Sequence, residues 1–168
     1  MWFGDPDLLD PLIASVYYAA DRGFWQEAIR RACLEGKNTF LDRYADSNKA
    51  HQGGKIADPD DRKDLYKKLD WLEYEYFGIP RADHTVFLYM PTAVSQELKK
   101  GREEAADGHE ANIDHLKRAE QVYLELYEMN KGKWTKIDCA PDGTIDSLKT
   151  EDQIHEEVYE IIKQQLAA

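Results

Sequence analysis

The sequence predicts an α/β fold, with a parallel sheet covered by helices on both faces, and three observations predict it. Strand-like and helix-like stretches alternate along the chain. The connections between strand candidates are far longer than a hairpin needs, which is the mark of crossovers in a parallel sheet. Thr85, Val86, Phe87 and Leu88 form a run that is apolar on both faces, as in a strand inside a covered sheet. At 168 residues, 42% hydrophobic and 11% aromatic, the chain holds enough apolar side chain for one core, and a single α/β domain over 1–168 is expected.

Asp10 before Pro11 reads as an N-cap with proline at the first helical position, opening a helix through Leu12, Val16, Ala19 and Ala20. Gly23 is expected to end or bend it. A second helical stretch passes through Trp25, Ala28, Ile29 and Ala32 to Gly36, a left-handed stop. Thr39 to Leu41 read as a short buried strand ending at Asp42 and Arg43, followed by a polar loop from Tyr44 to Lys55. Asp58 and Pro59 start another capped helix with Leu65, Leu69 and Leu72 inward, closed by Gly78 and Pro80. The strand at Thr85 to Leu88 comes next, then a helix from Pro91, and a charged segment between Gly101 and Gly108 interrupts the helical pattern. A long helix carries Ile113, Leu116, Val122, Leu126 and Tyr127. Trp134 to Cys139 is a third strand and Pro141 to Gly143 a turn; Thr150 with Gln153 forms a capping box on a last helix. Three strands are few for this class, where a sheet has roughly five or six.

Composition narrows the function. The net charge of −11 argues against coating a nucleic-acid polymer or an anionic membrane. No apolar run approaches the roughly 18 to 20 residues of a membrane helix, and Met1 to Asp10 has neither a basic start nor an apolar core of a signal peptide. Cys33 and Cys139 stand alone, without a CxxC or a Cys/His cluster, as expected of ordinary thiols in a reducing cytoplasm.

The chemistry concentrates after the first strand candidate. A carboxylate at a strand's carboxyl end, here Asp42, can hold a hydrated divalent cation, and the adjacent Arg43 can grip a phosphate in two parallel hydrogen bonds. The plainer alternative is a salt bridge on a solvated loop. YYAADR at Tyr17 to Arg22, followed by a helix and then FLDRYADSNKAHQGGKI at Phe40 to Ile56, resembles the substrate half of the thymidylate kinase family. PRADHTVFLYMP and DCAPDGTIDSLKTEDQIHEEVYEII resemble that family's later strand, last strand, nucleotide-base loop and terminal helix. The likeness covers nearly the whole chain, and DRY with SNKAHQG is its most specific part.

The resemblance implies a P-loop nucleotide kinase fold and a phosphotransferase that moves the γ-phosphoryl group of ATP, with Mg2+, to thymidine monophosphate (dTMP). Residues 1–57 would form the monophosphate-binding portion, 99–112 a lid-like segment, and 134–168 the last strand, base loop and C-terminal helix. Tyr18 would stack on thymine and Arg22 reach a thymine carbonyl. Asp42 would stand by the magnesium and phosphates and Arg43 would hold the monophosphate. Asn48, His51 and Gln52 would read the pyrimidine edge and pack on the sugar. Arg102 would close over the transferring phosphates as a lid cation, with His109 and Glu110 ending the lid. Each has a bland alternative: a core aromatic for Tyr18, a helix-surface charge for Arg22, a satisfied histidine for His51, a charged loop for Arg102. Tyr89 departs from the family, which usually has Asp there.

A larger departure concerns ATP. The family's phosphate-cradling loop is GxxxxGK[ST]. The three Gly-Lys pairs, at Gly36, Gly54 and Gly132, are preceded five positions earlier by Arg31, Lys49 and Tyr127 and followed by Asn38, Ile56 and Trp134, so none fits. The opening strand, this Walker A segment and the second strand are therefore expected to be missing from the chain, and the lone chain to be inactive. The missing strand would lie between those at Thr39 and Val86, leaving a gap. A P-loop segment on another chain would fill it, and a homodimer is left open. The alternative is a non-catalytic nucleotide-binding or regulatory protein that kept the monophosphate pocket.

Overall fold

A computed structural model describes residues 9–100 and 112–167. They fall into two compact units, one taking in residues 9–81 and 112–123, the other 82–100 and 124–167.

The first unit is helical. Helix α1 runs Pro11–Leu34, and the Asp10 carboxylate caps it by accepting from the Leu12 and Ile13 amides at 2.9 and 3.1 Å. The expected break at Gly23 does not occur: α1 is continuous for 24 residues, and Gly36, whose φ is 72°, follows its C-cap Glu35. Gly23 serves packing instead, because a Cβ there would sit 2.5 Å from Phe77 Cδ1. The face of α1 that is buried carries only small residues, Ala14, Ser15 and Ala19, so neighbouring helices can approach closely. Leu12, Val16, Tyr17, Phe24 and Trp25 are exposed.

The strand expected at Thr39 to Leu41 is absent; the segment has no regular structure, and Phe40 is 68% exposed. An extended segment becomes a strand only through a hydrogen-bonded neighbour, and no described residue pairs with this one. Asp42 and Arg43 consequently do not sit at a strand end. They precede helix α2, Ala45–Gly53, which replaces the loop expected after them. Helix α3, Pro59–Asp70, is capped by Asp58 and continues as a π-helical turn over Trp71–Tyr76, closed by Gly78 at φ 66°. Leu65 and Leu69 are buried as the four-residue spacing requires.

In the second unit, β1 (Thr85–Tyr89) pairs with β2 (Trp134–Asp138) in parallel, with Thr85 opposite Trp134 and Tyr89 opposite Asp138. Among the described residues the sheet thus has two strands rather than three. Burial on both faces does not hold for β1 either: its residues are half-buried, and Leu88 is 49% exposed. Between them in sequence come α4 (Thr92–Lys99) and α5 (Ile113–Met129); residues 113–123 of α5 belong to the first unit, and its first turn is capped by the Asn112 side chain accepting from His115 N at 3.0 Å. Helix α6, Glu151–Ala167, begins with the expected capping box: Thr150 N donates to Gln153 Oε1 at 2.9 Å, and Gln153 N to Thr150 Oγ1 at 3.2 Å. No described helix is long and apolar enough to cross a membrane.

Candidate functional site

The first unit gathers most of the polar residues singled out in the sequence. Ser15, Tyr18 and Arg22 lie three and four positions apart on α1 and so share a helix face. Asn48 and Gln52 are one turn apart on α2, and both are buried. What joins the helices is a carboxylate that sequence patterns did not single out. Glu73, on the π-helical turn, has 1% of its side chain exposed and accepts from Arg22 Nε at 2.9 Å and from its terminal Nη2. Asn48 Nδ2 donates to Glu73 Oε1 and to the Ser15 carbonyl oxygen, each at 3.2 Å. A buried carboxylate is tolerable only when paired and hydrogen-bonded, and here an arginine fork and an amide do both. The signal was present in the sequence: Leu65, Leu69 and Glu73 repeat every four residues, which puts an acid on an apolar stripe.

Two amide oxygens, Asn48 Oδ1 and Gln52 Oε1, are buried without a hydrogen-bond partner among the described residues. Such groups are uncommon in folded proteins and favour a ligand that can donate. Tyr18 is half exposed. His51 is half-buried and stacks on His115, with ring centroids 5.5 Å apart and His51 Nδ1 lying 3.3 Å from His115 Nε2.

Arg43 has φ 56°, in the left-handed region, where a side chain other than glycine is strained. Asp42 and Arg43 are both exposed, and the backbone turns sharply between them and α2. Tyr123 from α5 donates its hydroxyl to Ser47 Oγ at 3.0 Å. Burial pushes the Tyr123 phenol above its ordinary range, while the Ser47 hydrogen bond and the Arg43 charge pull against that rise. Tyr44 donates to the Pro80 carbonyl oxygen at 2.9 Å, and burial, with Glu73 adding to it, pushes its pKa to about 12.

Gly53 and Gly54 form a packing contact rather than a phosphate cradle. A Cβ on Gly54 would lie 3.1 Å from Ala119 N, and Arg118 Nε donates to the Gly54 carbonyl oxygen at 2.9 Å. Among the described residues no three His, Cys, Asp or Glu side chains group to hold a metal ion. Arg102, His109 and Glu110 lie outside the described residues. Tyr89 ends β1, with the Lys136 ammonium 5.0 Å from its ring centroid.

The family model described as Thymidylate kinase matches residues 7–151 of the chain. A thymidylate kinase from Trichodesmium erythraeum is 32% identical over 131 residues, covering 74% of this chain and 55% of that protein. One from Mycobacterium tuberculosis is 26% identical over 145 residues, covering 78% of this chain and 66% of its own length. The chain thus spans between about half and two thirds of the curated relatives it matches.

Proposed function

The chain belongs to the thymidylate kinase family, a family of nucleotide kinases, and from that premise we propose that it forms the monophosphate side of an enzyme phosphorylating dTMP to the diphosphate. The observation that carries the reading is the cluster of Arg22, Asn48 and Glu73 in one unit, with Tyr18 on the same face of α1 and two unpartnered amide oxygens close by in sequence. An aromatic face and a fixed set of donors and acceptors suit the choice of one nucleobase, because a wrong base leaves buried polar groups unpaired. In this reading Tyr18 stacks on the base, Arg22 donates to a base carbonyl, Asn48 and Gln52 accept, and His51 packs on the sugar. Arg43, exposed and held by a strained turn, grips the monophosphate.

ATP is the co-substrate and Mg2+ the cofactor in this reading. Magnesium commonly takes one or two carboxylates and completes its shell with water and substrate phosphates, so the single exposed Asp42 carboxylate fits one protein ligand of that kind. The ion would neutralise charge on the phosphates. Arg102, His109 and Glu110, in the lid-like stretch, would cover them. The sequence contains no GxxxxGK[ST] loop, so the cradle for the β and γ phosphates is read as belonging to polypeptide outside it. The lone thiols Cys33 and Cys139 fit a working enzyme in a reducing cytoplasm.

Titration calorimetry on the folded chain tests the pocket: dTMP should bind in preference to adenosine monophosphate. Equal or absent binding of both would sink the assignment. A coupled assay with ATP and Mg2+ should show no steady turnover by this chain alone. Preferential binding that persists without transfer, even after a P-loop segment is supplied, would favour the reading of a non-catalytic nucleotide-binding protein.

A further inference from the structure

Glu73 has surroundings that give it a task at the same site. Its carboxylate takes two donors of the Arg22 guanidinium, and its Oε1 also receives Asn48 Nδ2 at 3.2 Å. The second contact of that amide nitrogen is the Ser15 carbonyl oxygen, at 3.2 Å. A carboxylate and a backbone carbonyl can only accept, so the two groups facing Asn48 dictate which way its amide turns. The NH2 must point at Glu73 and Ser15, and Oδ1 must point away from them. That oxygen is the one left buried and unpartnered.

We propose that Glu73 is a positioning residue that sets base selectivity by fixing the polarity of the Asn48 amide and the orientation of the Arg22 fork. Both groups donate to the same carboxylate oxygen, so one anchor holds them in register. With Glu73 in place, the site offers an acceptor from Asn48 and the remaining donors of Arg22. That pattern matches a pyrimidine edge carrying a ring N–H beside a carbonyl. It opposes an edge carrying a bare ring nitrogen beside an amino group, where acceptor would face acceptor and donor would face donor. The proposal rests on the dTMP reading of the pocket.

The test uses the full chain. Calorimetry gives the affinity ratio of dTMP to deoxycytidine monophosphate, and side-chain amide NMR on the ligand-free chain follows proton exchange at Asn48. Glu73→Gln keeps the size of the side chain yet offers a donor as well as an acceptor, so Asn48 can turn over. It should lower the ratio by about tenfold, the scale of one correctly paired hydrogen bond, and speed Asn48 exchange. Glu73→Asp, still acceptor-only, should keep the preference for dTMP. An unchanged ratio in folded E73Q, or equal loss of both nucleotides, overturns the proposal. If the wild-type chain shows no preference for dTMP, the pocket reading fails; Asn48 exchange then decides the anchoring, faster exchange in E73Q sustaining it and unchanged exchange overturning it. Should E73Q not fold, loss of the preference in E73D overturns the proposal and retention sustains it.

Discussion

Arg43 adopts φ 56°, a conformation that L side chains occupy at a cost of roughly 1 to 3 kcal/mol unless the surroundings enforce it. Arg43→Gly and Arg43→Ala remove the same guanidinium but differ in backbone freedom. Thermal unfolding should therefore show the glycine variant more stable by about 1 kcal/mol. Calorimetry should show both losing affinity for dTMP far more than for thymidine, because the proposed partner of Arg43 is the phosphate. A glycine variant no more stable than the alanine one would mean that the turn is not strained. Tyr44 provides a pH prediction. Its folded pKa of about 12 exceeds the ordinary value of 10.0, so the folded state favours the protonated phenol. The stability it contributes is complete below pH 10 and falls away as pH rises toward 12, where the unfolded chain loses the proton first. Denaturant titrations across that window should show the decline in the wild-type chain and a smaller one in Tyr44→Phe.

Among the elements, the π-helical turn at Trp71–Tyr76 and helix α1 depend on one another through Gly23 and Phe77. A Cβ at position 23 would come within 2.5 Å of the Phe77 ring and 3.1 Å of its Cβ, too close to be absorbed by rotating the ring alone. Gly23→Ala should therefore destabilise by about 1 to 3 kcal/mol of overpacking, more than the roughly 1 kcal/mol that alanine gains in a helix. Adding Phe77→Ala should recover part of the loss caused by Gly23→Ala, a coupling measurable in a double-mutant cycle. Gly132→Ala, where nothing lies within 4 Å, serves as the neutral control. The π turn also carries Glu73, so a shift of this packing would move the carboxylate that holds Arg22 and Asn48. π-helical turns recur at functional sites because they redirect side chains within a helix.

For the whole molecule, the notable feature is apolar surface that each unit leaves in water. Tyr17, Phe24, Trp25, Leu34 and Phe40 are exposed in the first unit, and Leu88 on β1 in the second. Phe24 and Trp25 touch edge to face, with ring centroids 5.3 Å apart, and clustered apolar surface of this kind usually has a partner. In the proposed enzyme the partner of the first unit's surface is the strand and P-loop segment that the sequence does not contain. Supplying it, covalently or as a peptide, should raise the melting temperature and produce dTMP phosphorylation together, because one strand would both cover apolar surface and deliver the phosphate cradle. Activity without added stability, or no change in either, would count against that shared cause. The helix starts at Asp10, Asp58 and Thr150 and the stop at Gly36 were legible in the sequence, because caps and left-handed glycines act within a few residues. The family was legible too, carried by the order of YYAADR, DRY and SNKAHQG. Three further features depended on tertiary structure: Thr39 to Leu41 failing to become a strand, Gly23 acting as a contact rather than a break, and Glu73 organising the candidate site. Each depends on which groups far apart in sequence meet in space: a hydrogen-bonding neighbour for a strand, a ring against a glycine, a guanidinium and an amide around one buried carboxylate.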